Sequence, residues 1–153
     1  MISRRDFVAR TAGLAALLGG TRLLAQPDPA TPITVYKSAS CGCCAKWVDH
    51  LREHGFTPTV HDEENMEAIK DEMGVPAEMR SCHTALLGKY LVEGHVPADD
   101  LRRLLAERPA IAGLAVPGMP GSTPGMAVPG QPHESYEVIA FARGAKPTVF
   151  ARH

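Results

Sequence analysis

Between Ile33 and Lys37 the chain reads Ile-Thr-Val-Tyr-Lys, an alternation rich in β-branched residues that predicts a strand. The period then changes. Cys44, Trp47, Val48 and Leu51 fall at i, i+3, i+4 and i+7, one face of a helix that Gly55 stops. Phe56 to His61 predicts a second strand. Glu63 to Met73 predicts a second helix, with Met66, Ile69 and Met73 inward and Gly74 at its end. Thr84–Leu87 and Tyr90–Glu93 flank Gly88-Lys89 and read as a hairpin. Pro97 opens a third helix, with Asp99 and Asp100 in its first turn and Leu101, Leu104 and Leu105 inward, to about Glu107. From Pro109 to Ser135, six prolines and five glycines erase any period. A stretch this long reads as a loop or an ordered lid. Tyr136–Phe141 and Thr148–Ala151 predict a closing strand pair.

The predicted order is β-α-β-α-β-β-α, then a Pro/Gly-rich loop and a C-terminal strand pair. A parallel βαβ unit followed by an antiparallel hairpin and a helix is the thioredoxin-like order, so an α/β fold of that type is expected over residues 33–153. Residues 26–32, QPDPATP, read as a linker. Residues 1–25 read as a leader rather than as fold. Arg4-Arg5 is followed by an apolar stretch rich in Ala, Leu and Gly, the pattern of a bacterial twin-arginine export signal. That stretch is short for a membrane span and Arg22 interrupts it, so no stable span is expected once it is cleaved, and a periplasmic location follows.

Composition narrows the function. Hydrophobic residues make up 44% and charged residues 22%, which excludes wholesale disorder. A net charge of −1 and 5% aromatics give neither the basic field nor the stacking platform that nucleic-acid binding requires. Without its leader, which carries four arginines and one aspartate, the chain is at −4. That mild acidity suits cations better than anions.

The candidate chemistry lies in the cysteines. Cys41, Cys43 and Cys44 form a CGCC run at the predicted start of the first helix, where unpaired backbone N–H groups and the macrodipole favour thiolate. Cys82 is distant in sequence. In the expected fold the connector before the third strand returns beside that helix start, where thioredoxin-like proteins place a cis-proline; here Cys82 or His83 takes that place. Four sulfurs are therefore expected to converge. Four readings are open at this point. Structural disulfides are one, although a bridge within CGCC closes too short a loop to contribute much. A thiol–disulfide oxidoreductase using the Cys41/Cys44 pair is another. A four-cysteine zinc site is a third, but three ligands within four residues are cramped. The fourth is Cu(I), which soft thiolates select and can bridge. Several Cu(I) ions shared among four bridging thiolates approach electrical neutrality, which makes burial cheap.

Five motifs then carry a resemblance. They are Cys41-Gly42-Cys43-Cys44 with Trp47 and His50, Gly74-Val75-Pro76, Ser81-Cys82-His83-Thr84, Glu93-Gly94-His95-Val96-Pro97, and Gly113-Leu114-Ala115-Val116-Pro117-Gly118-Met119-Pro120. Together, over about residues 33–150, they resemble the CopG-type periplasmic copper-resistance proteins, a family long labelled a domain of unknown function. The resemblance implies a thioredoxin-like fold and an exported copper-binding protein acting in copper resistance. Cu(I) would be held by Cys41, Cys43, Cys44 and Cys82, as a multinuclear cluster. Copper ions would be its partners, with periplasmic copper-handling or electron-donor proteins beside them. Electron transfer or copper oxidoreductase activity is compatible with it; metal binding is the leading role. In one departure, the family tail Gly-Ser-Pro-Gly-Met-Glu is here Gly-Ser-Thr-Pro-Gly-Met-Ala over residues 121–127.

Secondary candidates are His83, Met119 and Met126, as an imidazole and two thioethers near the cluster. Met79 is a weaker thioether. His95, in the turn after the hairpin, reads first as turn packing or a helix cap. His50 lies two helical turns from Cys43, about 10 Å away, too far to be a ligand. Trp47 reads as core, and Lys37 as an exposed strand-end lysine.

Overall fold

The computed structural model describes residues 30–153. The expected leader, and the first part of the expected linker, lie outside the described residues. The elements are β1 (Thr31–Lys37), α1 (Gly42–Glu53), β2 (Phe56–Asp62), α2 (Met66–Met73), a 3-10 turn (Ala77–Met79), β3 (His83–Leu87), β4 (Tyr90–Glu93), α3 (Ala98–Glu107), β5 (Gly113–Ala115), β6 (Glu137–Phe141) and β7 (Thr148–Arg152). β1 starts at Thr31, so the last two residues of the expected linker belong to the strand.

The strands form one mixed sheet in the order β2-β1-β3-β4-β5-β6-β7. β1 pairs parallel with β2 and antiparallel with β3, and β3 and β4 form the hairpin. β4 and β5 are parallel, joined through α3, and β5, β6 and β7 continue antiparallel. Alternation along the strands sorts side chains to two faces. Ile33, Val35, Ala85, Leu87, Val92, Leu114 and Val138 pack in one core with Trp47, Val48 and Leu51 of α1 and Leu101 and Leu104 of α3. Ala115 and Phe141, with Leu91 and Ile139, pack on the other face with Met73, Val75 and Met79. α1 and α3 therefore cover one face, and α2 with the 3-10 turn covers the other. Among the described residues no helix is long and apolar enough to cross a membrane.

Two expectations need correction. The Pro/Gly-rich stretch is not loop throughout: residues 113–115 form β5, hydrogen-bonded on both sides. Three residues are too few to show a period, and pairing from two neighbours replaces propensity. Gly113 is required there, since a Cβ would sit 2.1 Å from the Leu91 carbonyl oxygen. Helix α2 begins at Met66 rather than Glu63, because Asn65 caps it by accepting from the Ala68 N–H at 3.1 Å. Its expected inward residues Met66, Ile69 and Met73 are only half-buried. The residue it buries is Lys70, 1% exposed.

Candidate metal centre

β1 ends in a tight turn in which the Cys41 N–H donates to the Ser38 carbonyl at 3.0 Å. Cys41 is the N-cap of α1 and has no capping side-chain hydrogen bond; no acidic residue occupies the first turn. That helix end thus keeps its electropositive N–H groups for the cysteines themselves. Cys44 is fully buried on the apolar stripe with Trp47, while Cys41 and Cys43 are half-buried at the rim.

Cys82 precedes β3, and the antiparallel β1–β3 pairing, with Lys37 opposite His83, returns it to the start of α1. The sulfurs of Cys41, Cys43, Cys44 and Cys82 all lie within 4.8 Å of one another. Cys41 and Cys44 are joined as a disulfide, and Cys43 and Cys82 are free thiols. The Cys43 sulfur lies 3.6 Å from that of Cys41. Burial, with Cys43 beside it, pushes the Cys82 thiol up to about 11, so without a metal it holds its proton.

Two imidazoles join the sulfurs. Cys44, Cys82, His83 and His95 form a second group whose ligand atoms lie within 4.8 Å of one another. His95 Nδ1 is 2.6 Å from the Pro124 carbonyl oxygen. A carbonyl only accepts, so Nδ1 carries the proton and Nε2 presents its lone pair to the Cys82 sulfur, 3.1 Å away. His83 Nδ1 lies 3.4 Å from the same sulfur, and its Nε2 is buried with no hydrogen-bond partner among the described residues. Burial lowers both histidines' affinity for protons, His83 strongly, with His95 and Lys70 adding to the effect on His83. Both rings are therefore neutral, the form that ligates metals.

The Pro/Gly loop lies over this group. A Cβ on Gly125 would stand 2.7 Å from the Cys43 carbonyl oxygen and 3.3 Å from His95 Nδ1, so only glycine permits the approach. The Ser81 hydroxyl donates to the Gly118 carbonyl, and the Val116 N–H to the Glu93 carbonyl at 2.9 Å. Met126, next to Gly125, is half-buried, whereas Met119 is 57% exposed. Met79 packs with Val75, Ala115 and Phe141 on the α2 face, which makes it core. Trp47 is core as expected. Its indole N–H donates to the Val96 carbonyl at 2.9 Å, and its ring lies 4.2 Å from that of His83.

Lys37 differs from expectation, and His50 and His95 have defined partners. Lys37 is buried, 8% exposed, with Nζ 2.6 Å from Asp62 Oδ1. His50 is a cap: its Nε2 accepts from the Ala98 N–H at 3.2 Å, at the first residue of α3. His95 carries more than turn packing, since it reaches Cys82. Its signal was the five-residue motif after β4, which brings the turn back beside β3. An open cleft of about 730 Å³ at the far end of α1, lined by His54, Phe56 and Arg102 among others, contains none of the cysteines.

The family described as "Protein of unknown function, DUF411" matches residues 79–126, from the 3-10 turn through Cys82 and His95 to the covering loop. Two solved structures, named "Copper resistance protein copG- Form 2" and "Copper resistance protein copG- Form 1", are each 43% identical to this chain. The first covers 81% of this chain and 98% of its own, at a TM-score of 0.76; the second covers 82% and 98%, at 0.75. No curated protein matches this chain.

Proposed function

The chain belongs to the family of copper resistance protein CopG, and from that premise we propose that it is an exported protein that holds Cu(I) in a site made by Cys41, Cys43, Cys44 and Cys82 and acts in copper resistance. The observation that carries the reading is the convergence of four sulfurs within 4.8 Å from two segments distant in sequence. The donor chemistry fits Cu(I), a soft ion that prefers thiolate and thioether to carboxylate. Cys41, Cys43 and Cys44 sit at a helix N-terminus, and the neutral His95 and His83 stand beside Cys82 as supplementary donors. Met126 is the better placed of the two candidate thioethers, because it is half-buried beside Gly125.

The full thiolate set requires the Cys41–Cys44 disulfide to be opened, which takes two electrons and two protons from an external thiol or electron-donor protein. Copper loading would thereby be coupled to the redox state of that pair. An architecture of thioredoxin type is supported by the β2-β1-β3-β4 order with β3 antiparallel. Periplasmic copper-handling or electron-donor proteins would be its partners, after export directed by the Arg4-Arg5 leader.

One observation favours a second reading. The Cys41–Cys44 disulfide at the start of α1 is the arrangement a thiol–disulfide oxidoreductase uses. The two readings diverge on Cys43 and Cys82. A disulfide reductase would reduce insulin without metal, need Cys41 and Cys44, and tolerate Cys43→Ser. The copper reading predicts that Cys82→Ser sharply lowers the copper bound by the reduced protein. Undiminished loading in that variant removes the shared site.

A further inference from the structure

Behind the cysteines, on the α2 face, lies an ion pair that no copper chemistry requires. Lys70 of α2 and Glu93 of β4 are 1% and 0% exposed, and the Lys70 ammonium donates to Glu93 Oε1. Lys70 Nζ also donates to Thr84 Oγ1 at 3.0 Å, and the Thr84 hydroxyl donates to Glu93 Oε2 at 2.6 Å. Glu93 Oε1 further accepts from the backbone N–H of Ser81 at 2.7 Å. The carboxylate thus grips the chain one residue before Cys82 and two residues after it. Its own backbone carbonyl accepts from the Val116 N–H at 2.9 Å, at the start of the covering loop, and His95 follows it by two residues.

A buried ion pair is a poor route to stability, since apolar residues of equal volume usually serve as well; its best-attested contribution is fixed geometry. We propose that Lys70 and Glu93 are positioning residues that fix Cys82 against the CGCC segment. Glu93 supplies two acceptor oxygens that together bracket Cys82, and Lys70, donating to Oε1, holds that carboxylate in place. Lys70 also ties α2 to β3, so the second arm of the site is set from the face of the sheet opposite α1. Cys82 precedes β3 and has no strand ladder of its own to place it; the clamp takes over that role.

The purpose of the clamp rests on the copper reading, but its test does not. In the oxidised full-length mature protein, Cys43 and Cys82 are the two free thiols, and their alkylation rates with iodoacetamide can be followed peptide by peptide. In Lys70→Met/Glu93→Leu, the ratio of Cys82 to Cys43 rates is expected to rise by about tenfold, as the segment around Cys82 opens locally. In Lys70→Met/Glu93→Gln, which keeps an acceptor for the Ser81 N–H, the ratio should return most of the way to wild type. That rescue separates positioning from general loosening, which would raise both rates together. Thr84→Val keeps the ion pair and the Ser81 contact while removing the two hydrogen bonds of the Thr84 hydroxyl, and should raise the ratio by a smaller factor; it carries the test if the leucine variant does not fold. An unchanged ratio in every folded variant, or equal rises at both cysteines, overturns the proposal. A shifted ratio in a protein that binds no Cu(I) leaves the clamp standing and removes the copper reading.

Discussion

Helices α1 and α2 flank the same sheet on opposite faces, and they bury opposite kinds of residue. α1 buries Cys44, Trp47, Val48 and Leu51, an apolar stripe in which one member is also a candidate ligand. α2 buries Lys70, with half-buried methionines and an isoleucine around it. The first helix is held by the same contacts that place its chemistry: the stripe that packs against the sheet fixes the register of Cys41, Cys43 and Cys44. The second helix carries no ligand and instead delivers a charge through Glu93 to the segment bearing Cys82. One arm of the site is positioned by hydrophobic packing and the other by a satisfied buried polar network. The two should fail in different ways.

The largest effect is expected from stranding one charge. Glu93→Leu alone leaves the Lys70 ammonium buried without its partner and should cost about 3–5 kcal/mol, read by chemical denaturation; adding Lys70→Met should recover most of it. If the double variant is as unstable as the single, the pair stabilises the fold rather than placing Cys82. On the α1 side, Leu51→Ala empties a fully buried position and should cost about 2–5 kcal/mol. No partner substitution of the kind that rescues Glu93→Leu exists for it, because packing has no complementary half to remove.

The pH dependence of the metal-free protein should be set by the ligand side. His83 and His95 are held neutral by burial, with folded pKa values below the usual 6.5. Their contribution to stability is complete above that value and is lost as pH falls below it, because only the unfolded chain then takes up the protons. The fully buried His83 alone should cost about 1.4 kcal/mol per pH unit below 6.5. Denaturation at pH 7.5 and 5.5 measures this, and His83→Phe should flatten the profile. The smallest contrast lies in the covering loop. Gly118 and Gly125 both have positive φ, near 70° and 87°, but a Cβ at Gly118 meets nothing within 4 Å. Gly118→Ala should therefore cost about 1 kcal/mol of backbone strain. Gly125→Ala should cost more and raise the alkylation rate of Cys43 by lifting the loop from it.

What was legible in the sequence follows the same division. The stripe Cys44, Trp47, Val48, Leu51 has a helical period, so α1 and its three cysteines could be read before any fold was known. Cys82 was placed only by assuming a topology, because nothing local marks it. Lys70 was illegible: at an inward helical position a lysine looks like an error in phase, and its partner lies 23 residues on. β5 was missed because three residues carry no period and its pairing is wholly long-range. His95 carries no local mark of its role, because a histidine in a turn is ordinarily packing, and only the β3–β4 hairpin shows that this turn faces Cys82.

If the four sulfurs act as one Cu(I) site, anaerobic titration of the fully reduced protein with Cu(I), following copper stoichiometry and luminescence together, will show it. More than one Cu(I) should bind per chain, with emission from a solvent-shielded copper–thiolate cluster that Cys82→Ser abolishes. Saturation at a single Cu(I) would remove the cluster, and absence of binding, or saturation by zinc instead, would contradict the shared Cu(I) site outright.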